Sequence, residues 1–184
     1  ACTTTVEQTH NPDNYPPTDD RPLPEAPPSL PNSEGEVIAE GRAEPRQMTI
    51  VGAELWVAER QGGQLLAIEL SSRKTRVVAA DLGEPWALAA AGDGAVVSDV
   101  AGGRVLRIAA DGTTSVIASG QSQPKQIQIK GNEVYWLNEG EAAGSSWTGG
   151  RIQKASLDGS DTPSEVASNL DKPRCLAMDE THIF

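Results

Sequence analysis

The chain has 184 residues, enough for one or two domains, a formal net charge of −11, 38% hydrophobic residues and only 4% aromatic ones. That acidity repels phosphate backbones and anionic membranes, which argues against nucleic acid as a partner. No run of eighteen apolar residues exists, so the sequence offers no helix to span a bilayer. Its two cysteines, Cys2 and Cys175, have no metal-ligand spacing.

The first segment sets itself apart. Residues 1–44 hold eight of the thirteen prolines and nine acids against two bases. They lack a periodic apolar pattern, and too little apolar surface is present to offset ordering entropy. Residues 1–34 are therefore expected to be a disordered, Pro-rich, extended tether. The chain starts "ACTTT", with Ala1 in a small-residue position directly before Cys2. This start resembles that of a mature bacterial lipoprotein. The resemblance implies lipidation of Cys2, a signal peptide removed upstream, and anchorage at the bacterial cell envelope, on the periplasmic or outer-membrane surface. The alternative is an ordinary free or disulfide-bonded cysteine.

A repeat begins with "EVIAEGRAEP" at residues 36–45 and returns as "VVAADLGEP", "VIASGQSQP" and "EVASNLDKP". Pro45, Pro85, Pro124 and Pro173 anchor its register at spacings of 40, 39 and 49. Met48, Leu88, Ile127 and Leu176 follow three residues on, and Gly52, Gly92 and Gly131 seven residues on. Each unit divides into four short alternating strands separated by Gly and polar turns, such as "DG" at 111–112 and 158–159. A period of about 40 residues with four strands per unit predicts an all-β fold, a β-propeller of four-stranded antiparallel blades. The predicted blades are 45–84, 85–123 and 124–172, preceded by an outer strand at 36–44 and followed by an incomplete blade at 173–184. A six-bladed ring would need about 90 to 120 further residues at this period, so the sequence reads as a fragment whose remaining blades are partners in a longer chain.

The third unit carries a family resemblance. "VYWLNEG…GGRIQKASLDGSD" at 134–161, followed by "PRCLAMD" at 173–179, resembles the YWTD- and TolB-like repeat of six-bladed propellers. Tyr135 and Trp136 fill the aromatic pair, and Leu137 and Asn138 stand where that repeat has Thr and Asp.

Candidate chemistry is sparse. His10 lies in the tail, His182 is expected to be structural, and Cys175 is expected to be a buried small hydrophobe. Glu59, Asp99 and Asn138 recur at one repeat position. They are either oxygen ligands for Ca²⁺, as the similarity to lactonase-like propellers implies, or acceptors for backbone donors in the next loop. The second fits one copy per blade better, so no cofactor is expected. Unit three carries an 8-residue insertion, "EGEAAGSSWTGG", where the others have "RQGG" or "VAGG". In propeller topology that connection and the interblade links emerge on one face. The face would collect Glu59, Arg60, Trp86, Glu139, Trp147, Arg46, Lys125 and Arg174. Aromatics beside charges suit recognition. Against this, Trp86 could pack between blades and Trp147 could merely cover the insertion. The reading is a non-enzymatic, envelope-tethered propeller that binds a protein, peptide or glycan. The alternative is a metal-dependent lactonase- or lyase-type enzyme.

Overall fold

The computed structural model describes residues 36–184. The expected tether, with Cys2 and His10, lies outside them. The described residues contain strands and turns but no helix, and none of them forms a helix long and apolar enough to cross a membrane.

Three four-stranded antiparallel sheets follow in chain order. The first comprises β1 (Pro45–Val51), β2 (Glu54–Glu59), β3 (Gln64–Glu69) and β4 (Thr75–Ala79). The second comprises β5 (Pro85–Ala91), β6 (Gly94–Asp99), β7 (Arg104–Ile108) and β8 (Thr114–Ala118). The third blade begins with β9 (Pro124–Lys130) and β10 (Glu133–Asn138). A small hairpin, β11 (Glu141–Ala143) and β12 (Ser146–Thr148), interrupts it before β13 (Gly150–Ser156) and β14 (Ser164–Leu170) complete the sheet. Each sheet is a simple meander. Tight Gly turns make this possible: Gly52, Gly92 and Gly131 all have φ near 60° between the first and second strands.

The sheets stack face to face, and alternation along each strand builds two cores at once. In blade two, Leu88, Ala95, Val97, Leu106 and Ile108 pack against Trp56, Ala58, Leu65 and Val78 of blade one. The opposite face of blade two, with Ala87, Val96, Val105 and Ile117, packs against Ile127, Val134, Trp136 and Ala155 of blade three. A third cluster joins Tyr135, Leu137 and Ile152 to Leu176, with Met178 and Ile183 at its edge. Strands β6 and β10 lie between both faces and are buried along almost their whole length.

Three expectations need correction. Residues 36–44 form no strand. A strand there would need the free edge of a third blade strand, and among the described residues each such strand already has its outer neighbour. The last segment, 173–184, makes only a bridge between Met178 and Ile183. Cys175 within it is exposed and disulfide-bonded rather than a buried thiol. Met48 is exposed, whereas its repeat equivalents Leu88 and Ile127 are buried. Leu88 has blade one to pack against, and no described blade covers β1 on that side.

Candidate functional site at the inner rim

The repeat prolines position the site. Pro45, Pro85 and Pro124 each open the first strand of their blade, where the missing N–H costs the ladder nothing. The register of that strand then slips between Pro45 and Met48, and again between Pro85 and Leu88. Such a bulge releases the residue after the proline from the regular pleat. Those residues are Arg46, Trp86 and Lys125, and they meet. The Arg46 guanidinium carbon lies 4.2 Å from the Trp86 ring centroid, and Lys125 Nζ lies 3.5 Å from it. Arg60 stands 5.6 Å from the same ring.

A second repeated feature brings the loops to this rim. The N–H of Arg60 donates to Glu44 O, that of Val100 to Glu84 O, and that of Glu139 to Gln123 O, at 2.9–3.1 Å. In every blade the residue after the second strand is thus tied to the residue before the proline. The glycines of "QGG" and "AGG" allow the next link to close: Leu82 N–H donates to Gly63 O, and a Cβ on Gly63 would come within 2.5 Å of Leu82 O.

Charges fill this frame. Arg60 bridges Glu44 and Glu84, each at 3.1 Å, and Arg46 also pairs with Glu44. Glu139 is only 3% exposed and sits against three cations: Arg174 at 3.1 Å, Lys125 at 3.6 Å and Lys172 at 4.0 Å. Burial pushes the Lys125 ammonium below its ordinary pKa, against the opposing pull of Glu139. Lys172 Nζ lies 3.8 Å from the Trp147 ring centroid, on the insertion hairpin.

Most of the residues expected on one face do gather here: Arg46, Arg60, Trp86, Lys125, Glu139 and Arg174, with Trp147 joined through Lys172. Glu59 does not belong to the exposed face. It is 2% exposed, accepts from Gln64 Nε2 at 2.7 Å and from the Ala43 N–H, and lies 3.7 Å from Arg42. Sequence reasoning missed Lys172, Glu44 and Glu84. The residue immediately before each repeat proline was the available signal, since that position recurs as faithfully as the proline.

Glu59, Asp99 and Asn138 each have partners within their own blade or link. Asp99 accepts from the N–H groups of Glu84 and Gly102 and from Arg104. Burial raises its pKa, but Arg104 and the backbone donors outweigh that and hold the carboxyl below its ordinary value. Asn138 donates to Gln121 and Gln153 at 2.9 Å each, while its Oδ1 is buried without a partner. Among the described residues no cluster of His, Cys, Asp and Glu has the arrangement of a metal centre. His182 is exposed, next to Asp179 and Phe184.

Four-stranded antiparallel sheets stacked about an inner rim define a β-propeller fold. No family model matches the sequence, and no curated protein matches it. Solved structures do match. A nidogen/laminin complex aligns with a TM-score of 0.61 at 19% identity, over 73% of this chain and 52% of the other. Virginiamycin B lyase from Staphylococcus aureus aligns with a TM-score of 0.60 at 16% identity, over 77% and 47%. A gluconolactonase from Xanthomonas campestris aligns with a TM-score of 0.61 at 16% identity, over 76% and 52%. The chain therefore spans about half the length of these proteins, and at such identities the likeness concerns the fold alone.

Proposed function

We propose that this chain is a non-enzymatic binding module that recognises a protein, peptide or glycan through its inner rim. One observation carries the reading: Arg46 and Lys125, from the blades on either side, converge on Trp86, on a frame repeated blade after blade. The Asp99 carboxylate, by contrast, is spent on loop donors and an arginine. The structural neighbours include a complex between proteins as well as enzymes, so the fold accommodates either use. Screening full-length protein against peptide, protein and glycan panels tests this reading. A ligand whose binding falls at least tenfold in Trp86→Ala supports it. Ligands indifferent to that change, together with lactone turnover, overturn it.

The second reading is a metal-dependent enzyme of lactonase or lyase type. The observation in its favour is the unpartnered Asn138 Oδ1, an oxygen free to accept. Metal analysis combined with a lactone hydrolysis assay on full-length protein supports it only if both are positive.

Anchorage at the bacterial envelope through Cys2 is part of the proposal, resting on the lipoprotein-like start. Intact mass of protein from its native host tests this part: a lipid-sized mass increment on Cys2 supports it, and an unmodified Cys2 overturns it.

A further inference from the structure

The rim is positive in a chain whose net charge is −11. Glu44 and Glu84 already serve Arg46 and Arg60. Glu139 faces Lys125, Lys172 and Arg174, and Glu84, already paired with Arg60, also acts on Lys125 from further away. Among the described residues Glu139 is thus the carboxylate in ion-pair contact with all three cations, with Arg174 the nearest at 3.1 Å. Asp171 lines the shallow cleft beside Trp147, and counting it still leaves the local balance positive. Among the described residues, Glu139 lies 3.6 Å from the Lys125 ammonium and 4.0 Å from that of Lys172, and each ammonium also lies over an indole.

From this arrangement we infer that the Glu139 cluster is a docking site for the carboxylates of an acidic peptide segment, held by Lys125, Lys172 and Arg174. The inference rests on the binding-module reading and names its partner class. An acidic segment fits better than a glycan for a stated reason. Sugars stack on uncovered indole faces, whereas Arg46 and Lys125 lie over Trp86 and Lys172 lies over Trp147. A carboxylate can instead pair with the ammonium groups where they stand. Arg174, 64% exposed at its side chain, offers a planar fork to the incoming group, and half-buried Lys172 lies behind it. Glu139 acts as the internal counterion that the ligand's carboxylate supplements.

The test uses full-length protein and a labelled peptide of about twelve glutamates, followed by fluorescence anisotropy over a salt series. The expected result is saturable binding that weakens with salt. Lys125→Met/Lys172→Met should lower affinity at least tenfold, while Lys74→Met, in the turn before β4, leaves it unchanged. Glu139→Gln should strengthen binding several-fold, because it removes the competing internal carboxylate. Damage to the fold cannot produce that opposite sign, and circular dichroism checks each variant. Equal losses in the Lys74 control, no change in the double variant, or equally tight binding of a polyglutamine peptide overturns the inference. So does displacement by free glutamate or phosphate at equimolar concentration, which would mark a small-anion site. Tighter binding of an oligouronate than of the peptide also overturns it but leaves the binding-module reading standing. Lactone turnover with no binding of either probe sinks both.

Discussion

Blades two and three share one plan and differ at one corner. In blade two, the second and third strands are joined by four residues, 100–103. Asp99 clamps that turn through the Gly102 N–H and reaches the interblade link through the Glu84 N–H. Even the space is committed, since a Cβ on Gly102 would come 2.1 Å from Asp99 Oδ2. In blade three the same connection runs over eleven residues, 139–149, and folds into its own hairpin. The strand then ends in Asn138, and the carboxylate appears one residue later, as Glu139. That single step moves a negative charge from inside a turn to the rim. An acid at the strand end belongs to the scaffold; an acid one position on faces the cations of the rim.

The comparison can be broken most forcefully at its tryptophans. Trp136 is fully buried between blades two and three and donates its Nε1–H to Gln121 at 2.9 Å. Trp136→Ala should cost about 3–5 kcal/mol in urea-induced unfolding. Trp147, half-buried on the hairpin, should cost less than about 1 kcal/mol when changed to Ala. Similar losses at both would mean that the hairpin is part of the core.

A finer test compares the two strand ends. Asp99→Ala leaves two backbone donors and a guanidinium without their acceptor and should destabilise by about 3 kcal/mol. Asn138→Ala removes two neutral hydrogen bonds and a buried oxygen that has no partner, so a cost of about 1 kcal/mol is expected from the same unfolding curves. A reversed order would show that the strand-end acid is not the clamp described.

The smallest effect lies in the outer turns. Asp158, in the "DG" turn of blade three, is lowered from 3.8 to about 2, chiefly by the Ser160 N–H and then by the Ser160 and Ser156 hydroxyls. Asp111 is lowered in the same way by Thr113. A folded-state pKa below the unfolded one contributes stability that is complete above the unfolded value and is lost as pH falls through the folded value. The melting temperature should therefore hold from pH 7 to about 5 and decline between about pH 4 and 2. Asp158→Asn should make that decline slightly shallower.

The plan of the fold was legible because it is written in repetition: prolines 40, 39 and 49 residues apart, glycines seven residues on from the first three, and apolar residues alternating by two. The cores around Trp56 and Trp136 follow from that alternation. The rim was legible in part. Arg46, Trp86, Lys125 and Arg174 share the position after the proline, so the register alone groups them. Glu59 misled because an acid beside Arg60 looks like a surface pair, yet the strand turns its side chain inward. Lys172 holds the position before Pro173, which groups it with Glu44 and Glu84, but the register does not foretell that the Trp147 ring lies beside its ammonium. Cys175 was misjudged because apolar neighbours suggested a strand, and residues 173–177 form none.

The bonds from Arg60, Val100 and Glu139 to the carbonyls that precede the prolines involve main-chain atoms only. The holder is thus indifferent to what it holds. A guanidinium, an isopropyl group and a carboxylate occupy equivalent sockets without altering the seam, so each socket can be refitted independently, and the charge pattern around the rim can be rewritten while the architecture stays still.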